Sequence, residues 1–296
     1  MYLNFRISVN SSGLDTYFIN LNNINPMSNK SLLILIFFII SPIVLSCGKK
    51  KVEDIGSTEE LYQDAVKQLN EKKGGFPWVF TGTDYDTVFK ELKEIQLREP
   101  YSPYAILAEL RSADAYFKRE EYEQAVIEYE EFLKRHPGHD ESSYATYRLA
   151  LSYYRQIKSP DRDPTSTREA IKWFEYVVNN YPDSPYLEQA RTKIIECRNR
   201  LAKREIHIGN YYLKRKNFKA AADRYDVVVN EYSDTKHFDD ALFLLGSSYF
   251  GMGDNDLARA TLKRVIEEFP DSEYHGKAER LLQKIESNEV KEATKG

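Results

Sequence analysis

From about Leu61 onward, apolar residues recur every three or four positions, the period of a helix that buries one face. Four segments of this stretch align: ADAYFKREEYEQAVIEYEEFLKRHP, ALSYYRQ…REAIKWFEYVVNNYP, GNYYLKRKNFKAAADRYDVVVNEYS and GSSYFGMGDNDLARATLKRVIEEFP. Each opens with a small residue three positions before a tyrosine: Ala113/Tyr116, Ala150/Tyr153, Gly209/Tyr212 and Gly246/Tyr249. An alanine then starts a second helix (Ala125, Ala170, Ala221, Ala258), and four residues later stands a large apolar side chain (Tyr129, Phe174, Tyr225, Leu262). Three segments end in proline (Pro137, Pro182, Pro270), and Ser233 takes that place in the other. These offsets predict pairs of helices in close contact. The small residue admits the neighbouring helix and the large one fills the gap. Proline, lacking an N–H, stops the second helix.

This helix–turn–helix unit resembles the tetratricopeptide repeat, which is roughly 34 residues long. The predicted fold is therefore all-α, a superhelical solenoid of about five such repeats over residues 60–287 with a C-terminal capping helix. A degenerate first copy runs from Leu61 to Pro100, with DTVFKELKEIQLREP as its second helix. The closing helix, Tyr274 to Ser287, has a polar outer face suited to ending a stack. Residues 288–296 read as a polar tail. Two copies carry insertions, KKGGFPWVFTG (72–82) in the first and SPDRDPTST (159–167) in the third, the latter a surface loop by composition. The connection SPYLEQARTKIIECRNRLAKREIHIG after Pro182–Asp183 reads as one extended helix, with Cys197 a small half-buried residue on it.

Residues 1–26 lack periodicity and read as upstream sequence ahead of a start at Met27. Ser28, Asn29 and Lys30 then give a short positive segment, followed by SLLILIFFII (31–40) and a small residue ahead of Cys47. That is the layout of a secretory signal over 27–46, and the apolar run is shorter than the roughly 20 residues a membrane span needs. Val44-Leu45-Ser46-Cys47 resembles the lipobox of bacterial lipoproteins, although Leu45 is bulkier than the usual residue there. The resemblance implies a diacylglycerol thioether on Cys47, cleavage that makes Cys47 the mature N-terminus, an N-acyl chain on its amine, and no other cofactor. Two chains already suffice for stable anchoring. The plainer alternative is an uncleaved hydrophobic anchor with an incidental cysteine. Residues 47–59 would be a lipidated N-terminus and flexible tether, and Gly48 rather than Asp after the cysteine favours the outer membrane.

Charge and chemistry narrow the function classes. A formal net charge of -4 argues against bulk nucleic-acid binding. Two cysteines, Cys47 and Cys197, argue against a disulfide framework and a thiolate metal site. No phosphate-binding loop, dinucleotide fingerprint or zinc-protease motif occurs, and His136 and His139 flank a Pro–Gly turn without other clustered ligands. No catalytic or metal residue is assigned, and the expectation is a protein that is not an enzyme.

What recurs instead is a basic and aromatic stripe on the first helices. Two residues before the small position stand Arg111, Arg148 and His207, and five after it Lys118, Arg155 and Lys214. The two positions lie two turns apart on one face, with Tyr147 and Tyr154 beside them. Such a ladder suits an extended peptide ending in an aromatic residue and a carboxylate. The alternative is a set of ordinary solvated charges. The GGFPWVF segment is either a partner or lipid-headgroup contact or a flap folded over the open end of the stack.

A lipobox, a tether and about five such repeats together resemble the BamD/ComL family of lipoproteins of the outer-membrane β-barrel assembly machine. The resemblance covers about Leu61 to Ile285 and is most telling in EPYSPYAILAELRSADAYFKREEYEQAVIEYEEFLKRHPGHDESSYATYRLALSYY (99–154). There Pro100, Pro103, Tyr104 and Ala105 match the junction of repeats one and two. Ala125 and the Phe132…His136-Pro137…His139 stretch match repeat two and its exit. The aromatic insert at 74–80 departs from the short turn expected there. The resemblance implies a lipid-anchored, non-catalytic scaffold on the periplasmic face of the outer membrane. Its C-terminal repeats would dock on a POTRA domain of BamA, beside other Bam subunits, and its N-terminal repeats would receive the C-terminal targeting strand of unfolded outer-membrane proteins. Another envelope repeat lipoprotein, a pilotin or a Tol–Pal division partner, is the competing assignment.

Overall fold

The computed structural model describes residues 56–71, 83–159 and 163–294. Residues 1–26, the signal segment, Cys47 and the 74–80 insert lie outside them. Among the described residues there are eleven helices and no strand: α1 (Thr58–Asn70), α2 (Tyr85–Arg98), α3 (Pro103–Lys118), α4 (Tyr122–Arg135), α5 (Ser142–Arg155), α6 (Thr165–Asn180), α7 (Leu187–Lys214), α8 (Phe218–Glu231), α9 (Phe238–Met252), α10 (Asn255–Glu268) and α11 (His275–Ala293). They form five hairpins and a closing helix, and each helix packs chiefly on the one before and the one after it. The expected all-α tetratricopeptide solenoid is the observed fold.

Packing inside each hairpin follows the sequence offsets. Ala113, Ala150, Ala125, Ala170, Ala221 and Ala258 are fully buried, as are Tyr129, Phe174, Tyr225 and Leu262. A Cβ placed on Gly209 would lie 2.8 Å from Cζ of Tyr225, and one on Gly246 would lie 2.9 Å from Cγ of Leu262. The small residue is therefore a steric requirement of the large one. Gly209→Ala is expected to cost about 1–3 kcal/mol by overpacking despite alanine's better helix propensity, as read by urea unfolding. A variant as stable as the parent would mean the two helices separate freely.

The turns between hairpins repeat with equal regularity. All five second helices end on a residue with a similar backbone: Glu99 (φ -135°), His136 (-124°), Tyr181 (-130°), Tyr232 (-127°) and Phe269 (-132°). Proline follows four of these and disfavours a helical conformation at the residue before it; Tyr232 adopts the same geometry ahead of Ser233. Each cap carbonyl then accepts from the backbone N–H three residues on, as in Ser102 to Glu99 and Ser272 to Phe269. Within the hairpins, the residue seven after the small position is left-handed in repeats two, four and five: Glu120 (φ 66°), Lys216 (59°) and Gly253 (82°). Only the last is glycine, which is why composition does not reveal the other two turns.

Three boundaries differ from expectation: α6 begins at Thr165, inside the stretch 159–167 read as a surface loop, and buries Thr167, and two others lie at the ends of the stack. Helix α1 begins at Thr58, inside the stretch read as tether, because Ser57 and Glu60 form a reciprocal capping box. Helix α11 continues past Ser287 to Ala293, where Glu289 accepts from Arg259 of α10 at 2.6 Å. The long helix is as predicted, α7 spanning 28 residues. Cys197 on it is fully buried rather than half-buried, and burial pushes its thiol up to about 12. The thiolate, not the thiol, reacts, so Cys197 is expected to resist a disulfide-exchange reagent at pH 8 in the folded chain and to react once urea unfolds it; rapid labelling of the folded chain would refute this.

Candidate peptide-binding face on the first helices

Two of the four aligned repeats place a tyrosine hydroxyl in the core, and a buried hydroxyl needs a partner. The residue after the small position supplies it. In repeat two the Tyr129 hydroxyl donates to Asp114 at 2.6 Å, and in repeat four the Tyr225 hydroxyl donates to Asn210 at 2.8 Å. In repeat three, where the large residue is Phe174, the same position is Leu151. In repeat five, where the large residue is Leu262, Ser247 holds that position and donates to the Phe243 carbonyl of its own helix instead.

Asp114 is 3 % exposed and gathers a network from three repeats. Arg111 donates to it at 2.7 Å, Tyr144 at 2.7 Å, and the Arg148 Nε lies 3.5 Å away. Arg111 also donates to the Tyr62 hydroxyl of repeat one at 3.2 Å. Arg148 donates to Tyr129 at 3.2 Å and lies over the Phe117 ring at 3.8 Å. Burial alone would depress the Arg111 guanidinium, but Asp114 and Tyr62 outweigh it and hold its pKa above the ordinary value. Burial, reinforced by the Asp114 charge, likewise pushes the Tyr129 phenol well up.

The structure brings Arg111 and Arg148 of the predicted ladder together on Asp114, with their charges answered from within. Lys118 stands apart, donating to the Leu69 carbonyl at 3.0 Å and to Asn70 at 2.6 Å, its ammonium depressed by burial. Tyr147 stacks on Tyr186 with ring centroids 4.9 Å apart. Tyr154 donates to Glu196 at 2.6 Å beneath the Lys193 ammonium, and both Tyr147 and Tyr154 pack on Phe174. Arg155, His207 and Lys214 are exposed, and their side chains have no hydrogen-bond or ion-pair partner among the described residues. Asp114, Tyr144, Tyr186 and Glu196 are the members of this face that periodicity did not single out; the pairing of Asp114 with Tyr129 and of Asn210 with Tyr225 was the available signal. Elsewhere, His136 sits 2.9 Å from Glu109, which Arg135 also engages, and His139 accepts from the Glu141 backbone.

A stack of helical hairpins with a basic, aromatic face on its first helices defines a tetratricopeptide interaction scaffold. Residues 56–264 match the YfiO family, described as outer membrane lipoprotein, and the chain belongs to that family. It is 29 % identical over 251 residues to the outer membrane protein assembly factor BamD of Rickettsia prowazekii, covering 84 % of this chain and 96 % of that one. It is 30 % identical to the protein of the same name from Neisseria meningitidis serogroup A, over 74 % of this chain and 81 % of that one. The Caulobacter vibrioides relative, also named BamD, is 31 % identical over 64 % of this chain and 62 % of its own length. No helix among the described residues is long and apolar enough to cross a membrane.

Proposed function

We propose that this chain is an assembly factor for outer-membrane proteins, a non-catalytic scaffold held at the periplasmic face of the outer membrane by lipid on Cys47. Membership of a family matched over residues 56–264, whose relatives are named assembly factors, carries this conclusion. Its partners would be a POTRA domain of BamA, other Bam subunits and unfolded outer-membrane protein substrates. The basic and aromatic face of the first helices supports the last of these. The exposed cations Arg155 and Lys214, beside the exposed His207, are free to meet a ligand's negative charge.

The test is recovery of the native complex from membranes. An affinity-tagged chain should co-purify with BamA and with β-barrel proteins in transit. Association with pilus-assembly or Tol–Pal proteins instead would reassign it. Palmitate labelling should vanish in Cys47→Ala; persistent label would remove the anchor. For substrate contact, Arg155→Glu with Lys214→Glu is the informative pair, because Arg148→Glu would break the Asp114 network and confound folding with binding. Crosslinking to a C-terminal targeting peptide should fall in the double variant, and unchanged crosslinking would make these residues ordinary surface charges.

A further inference from the structure

Between α5, α7 and the α8–α9 junction lies a recess of about 260 Å³, lined by Tyr154, Glu196, Asn199, Arg200, Lys203, Lys236 and His237. Arg200, Lys203 and Lys236 are exposed, and their side chains make no hydrogen bond or ion pair among the described residues. Three such cations thus stand around one recess, whereas Arg111, Arg135, Arg198, Arg224 and Arg259 each engage a carboxylate.

The one carboxylate in the wall, Glu196, is already committed. It accepts from Lys193 at 2.7 Å and from Tyr154 at 2.6 Å. Burial would raise its carboxyl, but these two donors outweigh burial and hold it below the usual range. The Asn199 side-chain oxygen accepts from the Lys236 backbone at 3.0 Å, which fixes the junction against α7. His237 is half-buried. Burial first, then Lys236 and Lys203, depress its imidazole against the opposing pull of Asp240 and Asp239. The recess thus carries three exposed cations against one lining carboxylate, which Lys193 and Tyr154 already engage. His207 and Lys214 continue the same face of α7, seven and fourteen residues after Arg200.

We propose that this recess binds a carboxylate of a peptide ligand, held by Arg200, Lys203 and Lys236 against the ring of Tyr154. A guanidinium fork beside two ammonium groups fits a carboxylate, and the aromatic wall gives the adjoining side chain an apolar surface. The volume is below the usual 300–1,000 Å³ of small-molecule sites, which leaves room for about one residue. A phospholipid surface would instead favour cations spread over a flat face. The site lies in repeats three to five, away from Arg111 and Arg148, which Asp114 already engages. The inference does not depend on the assembly role.

The test uses the full chain in detergent and three octapeptides labelled with an uncharged boron-dipyrromethene dye and carrying otherwise uncharged side chains. One has a free C-terminal carboxylate, one a terminal amide, and one a terminal amide with an internal glutamate. By fluorescence anisotropy, at least one carboxylate peptide should bind about tenfold tighter than the neutral amide, as expected for a hydrogen-bonded charge. Preference for the free acid would identify a chain terminus as the ligand, and preference for the glutamate peptide an acidic side chain. Lys203→Gln with Lys236→Gln should abolish the preference while leaving the thermal unfolding midpoint unchanged, since neither side chain has an internal partner. Peptide binding should also raise the His237 imidazole pKa in an NMR titration. The proposal fails if all three peptides bind alike, if the double variant keeps the preference, if the His237 titration does not move, or if only phosphatidylglycerol vesicles bind in a Lys203- and Lys236-dependent way.

Discussion

Asp114→Ala is expected to lose about 3–5 kcal/mol of unfolding free energy, because removing one partner strands the charges that faced it. The Arg111 and Arg148 side chains are only 19 % and 17 % exposed, so water answers them poorly once the carboxylate is gone. The hydroxyls of Tyr129 and Tyr144 would lose their acceptor at the same time. Asp114→Asn should cost less, since an amide oxygen at this position already serves Tyr225 in repeat four. The rest of the chain also supplies an apolar template. Repeat three has Leu151 and Phe174 at the corresponding positions, so Asp114→Leu with Tyr129→Phe, Arg111→Met and Arg148→Met should recover most of the loss. Urea unfolding of the parent and these variants measures each quantity. A loss below about 1 kcal/mol in Asp114→Ala would class the network with exposed ion pairs.

Phe174→Ala should cost a similar 3–5 kcal/mol, the usual range for emptying a fully buried aromatic site. Phe174 packs on Tyr147 and Tyr154 and sits opposite Ala150 at the centre of the stack. In a solenoid each repeat is stabilised only by its neighbours. Weakening the middle should therefore separate unfolding into stages. Trp173, the neighbouring residue, packs in both the repeat-two and repeat-three clusters and reports locally. In a Trp78→Phe background, which leaves it the one tryptophan, its fluorescence should change at lower urea than the helical signal of the whole chain. Coincident transitions with an unchanged midpoint would contradict both the magnitude and the one-dimensional coupling.

Much of the architecture was legible because it depends on size at fixed spacing. Ala113, Ala150, Gly209 and Gly246 face Tyr129, Phe174, Tyr225 and Leu262, and no other property of these residues was needed to pair the helices. The face was legible only in outline. Helical periodicity assigns a residue to a side of a helix but not to a depth, so Arg111 and Arg148 aligned with Arg155 and His207 although the first two are sunk onto Asp114. Whether an arginine is available depends on a carboxylate that another turn or another repeat brings to it. Glu120 and Lys216 were illegible for a different reason: their left-handed backbone comes from the close of a hairpin and not from their own preference.

The 28-residue helix α7 belongs to two repeats at once, its N-terminal half packed on α6 and its C-terminal half on α8. At 1.5 Å per residue it is a rod roughly 40 Å long with no turn to absorb movement. Any tilt of it would therefore work as a lever. A tilt of about five degrees around its midpoint would displace each tip by about 2 Å on that length, moving Tyr186 against Tyr147 of α5 at one end and carrying Lys214 at the other. Arg200 and Lys203 stand near the fulcrum, so a ligand seated there would grip the lever where its two arms meet.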